Sequence, residues 1–316
     1  MTTTITAPAP VATVAAAPAG TSRGHGRGHR HGHGPATLMV IGSCTSLQVG
    51  AALATHLFPT AGASGATFLR LGLAAAVLLA ATRPNIRSWT RSQWRSVILF
   101  GLTLAGMNGF FYAAIARIPL GIAVTIEFLG PLALAAALSR RPRDFGWVLM
   151  ALVGVLTLGL AGEGGSGHSL DLVGVVFVLI AAVFWALYIL AGARAGAAVP
   201  GRGGLAVAVT FAALVVAPEG MRGAAHVADR PGLLLVALGT ALMASVVPYS
   251  LEFAAMRRLP KRNFGILLSL EPAVATLAGW LVLSQHVGPL AIAAIVAVVA
   301  ASVGSTLTSA AGSPRE

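Results

Sequence analysis

The sequence predicts an all-α membrane protein of ten transmembrane helices, arranged as two inverted five-helix repeats. Three observations support this fold class: few charged residues, apolar runs of membrane-spanning length, and an uneven distribution of Lys and Arg between the loops. Only 9% of the 316 residues are charged and 56% are hydrophobic, whereas soluble domains carry about 25% charged residues. So few charged side chains cannot cover a water-exposed surface, and the composition therefore excludes a soluble globular protein.

Apolar runs separated by Gly, Pro or charged residues define the predicted helices. A helix needs about 20 apolar residues to cross the hydrocarbon core of a bilayer, and runs near this length recur along the chain. The seventh run is shorter than the others and is flanked by glycine. The ten predicted spans are Ala36–Leu57, Gly62–Thr82, Ser96–Ala116, Pro119–Leu138, Phe145–Gly162, Asp171–Ala193, Gly203–Ala217, Pro231–Met256, Asn263–Ser284 and Val287–Thr308.

The net charge of +12 comes from Lys and Arg in the short gaps between apolar runs. No basic face is interleaved with aromatic residues, so the expected partner is the lipid bilayer and not nucleic acid. With a cytoplasmic N-terminus, the inner segments hold 17 Lys and Arg and the outer loops hold only Arg117, Arg222 and Arg230. Because Lys and Arg concentrate on the cytoplasmic side, we predict an inner-membrane protein with both ends in the cytoplasm.

Both termini differ in composition from the spans. Residues 1–35 are rich in Ala, Pro and Thr and then in His, Arg and Gly, which predicts a disordered cytoplasmic tail. Its histidines, His25, His29, His31 and His33, either bind a transition metal or belong to a solvated basic tail, and we favour the tail. Residues 310–316 form a second, short cytoplasmic tail. Cys44, the single cysteine, lies inside the first span, so no disulfide forms within the chain.

An internal repeat divides the predicted bundle. Residues 111–131 align without gaps onto residues 252–272, and six of the 21 pairs are identical. They include Pro119 with Pro260 and Pro131 with Pro272, and the Arg two residues before the first proline of each pair. We therefore predict two repeats of five helices, 36–162 and 163–309. A unit with an odd number of helices inserts its second copy upside down, and inverted repeats are common in secondary transporters.

Three ionisable residues stand out inside predicted spans: Arg70, Glu127 and Glu271. A charged side chain in the membrane is costly and indicates function by default. Glu127 and Glu271 lie close before Pro131 and Pro272, which free backbone carbonyls one turn earlier. We expect one of these acids to carry a proton or to receive a substrate amine. The alternative is a Glu–Arg or Glu–hydroxyl pair that only joins helices.

Five uncharged polar residues in the spans are further candidates for a cavity that binds a zwitterion or for contacts between helices. They are Gln48, Asn108, Tyr112, Tyr188 and Tyr249. Glu252 lies near Arg257 and Arg258, and we expect it to form an interfacial salt bridge with them. Trp185 is expected to pack. No phosphate-binding loop, nucleophile elbow or zinc-binding helix motif occurs, so no cofactor, no metal and no enzymatic activity are predicted.

Several stretches resemble the drug/metabolite transporter superfamily in its EamA-domain branch of ten helices, and most closely the bacterial threonine/homoserine exporters. These include FLRLGLA (68–74), IPLGIAVTIEFLGP (118–131), FWALYILAGARAG (184–196) and PYSLEFAAMRRLPKRNFGILLSLEPAVATLAGW (248–280). The resemblance extends from Ala36 to Thr308. It implies export of a small amino acid coupled to protons, and the polar positions above, with Glu252, match the family pattern. An exporter of another small metabolite or cationic drug, and a membrane sensor or enzyme, remain as alternatives.

Overall fold

The computed structural model describes residues 33–138, 142–160, 171–199, 201–256 and 267–310, and its regular secondary structure in these ranges is helical. The predicted N-terminal tail before His33, the C-terminal tail after Ala310, and Arg257, Arg258 and Pro260 lie outside these ranges. The helices are α1 (His33–Thr55), α2 (Phe58–Thr82), α3 (Arg91–Ile115), α4 (Leu120–Glu127), α5 (Leu129–Leu138), α6 (Pro142–Leu160), α7 (Leu172–Ala198), α8 (Gly203–Ala228), α9 (Pro231–Ala241), α10 (Val247–Met256), α11 (Glu271–Leu283) and α12 (Pro289–Ala310).

Within the described residues, eight helical segments are long and apolar enough to cross a membrane. Two of the eight combine pieces, because α4 with α5 forms one segment and α9 with the start of α10 forms another. The apolar parts of α6 and α11 are shorter, at Phe145–Leu156 and Glu271–Leu283. The molecule is therefore an all-helical protein with many membrane-spanning segments.

The surface of the bundle matches a lipid solvent. Large apolar side chains are exposed along the outward faces of several helices, among them Leu149 at 61%, Leu235 at 70% and Leu281 at 70%. Soluble proteins rarely expose contiguous apolar surface of this kind, and in a bilayer these side chains contact acyl chains. The interior is packed instead with small residues, such as Ala52, Ala123 and Ala208, that are fully buried. Small residues let membrane helices approach closely.

Helix α8 corrects the predicted end of the seventh span. The sequence placed that end at Ala217, before Pro218, whereas the helix continues through Pro218 to Ala228. The continuation packs tightly on α2, since a side chain at Gly223 would meet the carbonyl of Ala61. Neighbouring helices often compensate for a proline within a membrane helix, and here the close packing outweighs the local break signal.

Three spans contain interruptions at their centres. The fourth breaks at Phe128, between α4 and α5, and the ninth turns at Ser269 and Leu270 before α11 begins. Both breaks come shortly before the paired prolines, Pro131 and Pro272, each of which lacks the N–H that would bond the carbonyl one turn earlier. The eighth span contains a π-helical turn, Leu242–Val246. Such turns loosen the regular helical ladder and are frequent at functional sites.

The helices pack in a reciprocal pattern. Helix α1 packs on α10 and α11, and α7 packs correspondingly on α3 and α4. Helix α2 packs on α9, and α8 packs correspondingly on α3. Further contacts pair α2 with α8, α4 with α11, and α6 with α12. When each of the first five predicted spans is exchanged with its counterpart among the last five, every helix contact named in this paragraph maps onto a contact that is also named here.

Candidate functional site: a charged cavity at the centre of the bundle

A cavity of about 290 Å³ lies where the interrupted helices meet. Its walls come from α1, α2, α3, α4, α5, α7, α10 and α11. This volume is close to the lower end of the range for small-molecule sites, roughly 300–1,000 Å³. The cavity therefore has the size for a small metabolite.

Arg70 supplies the positive charge of the cavity. It is 4% exposed, and its Nη2 donates to the carbonyl oxygen of Ala244 at 2.7 Å while its Nε donates to Ser245 Oγ at 3.2 Å. Both acceptors lie in the π-helical turn of the eighth span. The guanidinium also lies 5.2 Å from the centroid of the Tyr112 ring, in cation–π range. These contacts fix the guanidinium at the cavity wall.

Three carboxyl groups share the cavity with Arg70. Glu127 is the last residue of α4 and Glu271 the first of α11, so the two breaks bring both acids to the cavity wall. Glu252, one turn after the start of α10, completes the set. Its Oε1 accepts a hydrogen bond from Ser43 Oγ at 2.8 Å. Within the described chain none of the three carboxyl groups forms an ion pair.

Two amide side chains contribute neutral polar groups to the wall. Asn108 is 3% exposed, and its Nδ2 donates to the carbonyl oxygen of Leu104 at 2.8 Å. Gln48 is equally buried at 3%, and its Oε1 is buried without a hydrogen-bond partner among the residues that the structure describes. Tyr188 and Tyr249 also line the cavity. The wall thus combines both signs of charge with neutral donors and acceptors.

The structure brings seven of the eight predicted site residues to one cavity. Gln48, Arg70, Asn108, Glu127, Tyr188, Tyr249 and Glu271 line it. The eighth, Tyr112, is fully buried and packs its ring against Arg70.

Two residues lie in the cavity wall although the sequence suggested other roles. Glu252 was expected at the membrane interface, and the structure corrects this, since Glu252 lines the cavity and binds Ser43. Its spacing of three from Tyr249 on one helix was the available signal, because residues at that spacing share a face. Trp185 packs edge-on against Phe128 with ring centroids 5.2 Å apart, and it also lines the cavity.

Polar contacts join helix ends away from the cavity. Arg117 Nη1 lies 3.0 Å from Asp171 Oδ2, linking the end of α3 to the residue just before α7. The Arg117 hydrogen bond, with the backbone N–H groups of Gly174 and Val173, lowers the pKa of the Asp171 carboxyl from its usual value. Gln285 Oε1 accepts from the backbone N–H of Leu120 at 3.0 Å. These bonds join segments that the charge distribution places on the same side of the membrane.

Broken helices, a buried charged cavity and a multi-pass bundle together define the class of a secondary transporter. The second half of the chain matches the model of the EamA-like transporter family over residues 172–307. The chain is 41% identical over 274 residues to the threonine/homoserine exporter RhtA of Escherichia coli (strain K12), covering 87% of this chain and 92% of that protein. It is 42% identical over 271 residues to the exporter of the same name from Salmonella typhimurium (strain LT2), covering 86% and 91%.

This chain belongs to the EamA-like transporter family. Its fold is also shared with a protein of known crystal structure that is 20% identical, with a TM-score of 0.58. That match covers 88% of this chain and 99% of the other.

Proposed function

We propose that this protein exports a small amino acid of the threonine and homoserine type across the inner membrane. The observation that carries the proposal is the cavity, in which one arginine and three carboxyl groups share a space of metabolite size. An amino acid is a zwitterion, so it needs a cation for its carboxylate and an anion for its ammonium group. The similarity to threonine/homoserine exporters over 87% of the chain supports the same substrate class.

Arg70 is the carboxylate-binding residue in this proposal. A guanidinium presents five N–H donors in a planar fork that suits a carboxylate. The contacts with Ala244 and Ser245 use Nη2 and Nε, and Nη1 is the nitrogen proposed to meet the carboxylate in the cavity that Arg70 lines. Because Arg70 is held before the ligand arrives, little side-chain entropy is lost on binding.

Glu127 and Glu271 supply the proton-coupling site. Arg70 is the one cation among the described residues that line the wall, so three ionised carboxylates would leave two negative charges unbalanced, and uncompensated charge in the membrane interior is costly. Protons and the substrate ammonium group are the two ways to neutralise them. Competition between proton and ammonium for the same carboxylates couples substrate release on one side to proton uptake there.

Alternating access would come from two inverted repeats, residues 36–162 and 163–309, that rock against one another. The reciprocal helix contacts support this arrangement, and so do the breaks before Pro131 and Pro272, which occur at corresponding places in the aligned repeats. The family match over residues 172–307 begins and ends within the second repeat. Such repeats place the substrate site near the membrane midplane, between the halves.

Expression in an exporter-deficient bacterial host tests the substrate assignment. Cells that carry the verified, membrane-inserted protein should grow at threonine and homoserine concentrations that inhibit the empty host, and should release labelled threonine faster. Arg70→Gln provides the matched inactive control at equal expression. If resistance and efflux stay at the level of the empty host, the amino-acid assignment is wrong, and a thermal-shift screen against cationic drugs and other small metabolites tests the alternative substrate class.

A further inference from the structure

Gln48 has a buried acceptor that no group in the described part of the chain satisfies. The residue lies on α1, lines the central cavity and is 3% exposed. Its Oε1 is buried and accepts no hydrogen bond from any described residue. Nearly all buried polar groups in folded proteins are hydrogen-bonded, and an exception indicates a bound molecule or a functional role. Because the side chain faces a cavity of metabolite size, the natural partner is the transported molecule.

The carboxyl groups of Glu252 and Glu271 contact α1 about one helical turn before Gln48. Ser43 Oγ donates to Glu252 at 2.8 Å, and Cys44 Sγ lies 4.0 Å from Glu271 Oε1. Since an α-helix rises about 1.5 Å per residue, Gln48 lies about 6 Å beyond Cys44 along the helix axis. Gln48 therefore belongs to a different level of the cavity from these two acids.

At the height of Gln48, α1 also contacts the π-helical turn that holds the Arg70 side chain. Ser46 Oγ donates to the carbonyl oxygen of Met243 at 2.7 Å. A side chain at Gly50 would meet the backbone of Ala244 at 2.6 Å, and the carbonyl of Ala244 accepts from Arg70. Gln48 lies between these two contacts in the chain. Along α1 it is thus placed next to the cationic part of the cavity, about one turn away from the contacts of α1 with Glu252 and Glu271.

The substrate proposed above has three polar groups, and two of them have charged partners in the wall. Arg70 suits the carboxylate, and the glutamates suit the ammonium group. The third group, which threonine and homoserine share, is a side-chain hydroxyl. A hydroxyl both donates and accepts, as the carboxamide of Gln48 does. Asn108 is less free for this role, because its Nδ2 already binds the carbonyl oxygen of Leu104.

We propose that Gln48 recognises the side-chain hydroxyl of the substrate and thereby sets the preference for hydroxylated amino acids over apolar ones of the same shape. This inference rests on the proposed function, since it assigns a role within the same cavity. Valine is the discriminating probe, because it replaces the hydroxyl of threonine with a methyl group. A methyl group cannot satisfy Oε1, and leaving a buried acceptor unpaired reduces binding by roughly tenfold or more.

The test is exchange of labelled threonine by the purified full chain in proteoliposomes, competed by unlabelled threonine or valine. The wild type should prefer threonine by about tenfold. Gln48→Met keeps the length of the side chain without the amide, and it should lower the preference to about twofold or less by weakening threonine while valine holds its affinity. Gln48→Asn should retain part of the preference. Gln93→Met, the same change at the start of α3 outside the cavity, should leave it unchanged.

Two results overturn the assignment. One is an unchanged preference for threonine over valine in Gln48→Met. The other is an equal loss of affinity for both amino acids, which would mean that Gln48 binds a group that all amino acids share. If the variants fail to insert, thermal stabilisation of the wild type decides, since equal stabilisation by threonine and valine contradicts the proposal. A wild type that exchanges no amino acid overturns the proposed function as well, whereas one that exchanges both equally overturns only the role of Gln48.

Discussion

The guanidinium of Arg70 on α2 donates to the carbonyl oxygen of Ala244, 2.7 Å away in the π-helical turn of the eighth span. This bond joins the first and second predicted repeats at the wall of the cavity. The same side chain therefore holds two helices together, and in the proposed function it also binds the substrate carboxylate. Any rocking of the halves has to preserve this bond or replace its partner.

Arg70→Lys is expected to reduce threonine exchange by more than tenfold. A lysine ammonium is a point charge, and it cannot hold Ala244 and Ser245 while also presenting a planar fork to a carboxylate. Loss of a hydrogen bond to a charged group costs about 1.5–3 kcal/mol, so the protein should also unfold at lower temperature in detergent. Transport in proteoliposomes and thermal unfolding measure the two effects.

Ser245→Ala perturbs Arg70 less than Arg70→Lys does, and the transport rates of the two variants are compared. It removes the 3.2 Å bond from Arg70 Nε and leaves the bond to Ala244 in place. Its effect on transport should be clearly smaller. If both variants reduced transport equally, Arg70 would act only by holding the two helices together and not by binding the substrate.

Glu127→Gln and Glu271→Gln should separate gradient-driven transport from exchange. Each variant removes one titrating group from the cavity while keeping the size and polarity of the side chain. We expect accumulation of threonine driven by a proton gradient to be lost in at least one of them, with exchange at equal concentrations retained. Glu219→Gln, an exposed position on α8, is the matched control. Normal gradient-driven rates in both cavity variants would contradict the coupling proposal.

Gly130→Ala should destabilise the protein strongly. A Cβ at Gly130 would overlap the carbonyl of Ala182 on α7, so the two helices would have to separate. Overpacking of this kind typically costs about 1–3 kcal/mol. The matched control is Gly72→Ala on α2, where an added Cβ meets nothing within 4 Å and the better helix propensity of Ala is neutral or stabilising. Thermal unfolding in detergent compares them, and similar melting temperatures would contradict the close packing.

Asp171→Asn should lower stability at neutral pH by an amount that disappears on acidification. Asn retains the capping acceptor at the start of α7 but removes the ion pair with Arg117. The pKa of Asp171 is lowered in the folded protein, so its contribution is complete above the unfolded-state pKa and is lost as the pH falls through the folded-state pKa. The melting temperatures of wild type and variant should converge at pH values below the usual pKa of an aspartate. A constant difference at all pH values would assign the effect to capping alone.

The orientation of the chain can be measured by cysteine labelling. Cys44 is buried, and Cys44→Ala gives a background without cysteine. In that background, Ser88→Cys should react with a membrane-impermeant maleimide only after the cells are opened, whereas His286→Cys should react in intact cells. Both residues lie in connecting segments next to helix ends. The reverse pattern would invert the predicted topology.

Composition and the positions of Lys and Arg were enough to predict a helical membrane bundle, because a bilayer imposes length and apolarity on each span. The candidate cavity residues were also accessible from sequence, since polar side chains such as Arg70 and Glu127 stand out against apolar neighbours. The internal break at Phe128 was not predicted, since the fourth span was expected to run unbroken from Pro119 to Leu138, although Pro131 was an available signal.

The remaining features depend on packing between distant segments. Continuation of α8 past Pro218 follows from the approach of Gly223 to Ala61, which no local pattern reveals. The π-helical turn that binds Arg70 contains no proline or glycine itself, although Pro248, four residues after Ala244, leaves the Ala244 carbonyl without its usual helical N–H partner. Glu252 was misplaced because neighbouring arginines suggested an interface, whereas its partner Ser43 is far away in sequence.

Inside-out membrane vesicles provide the most direct test of amino-acid export through this cavity. With the lumen acidified, vesicles that contain the wild-type chain should take up labelled threonine, unlabelled homoserine should compete, and vesicles with Arg70→Lys inserted at the same level should take up little. Uptake no greater than in vesicles without the protein, with insertion verified, would contradict the account.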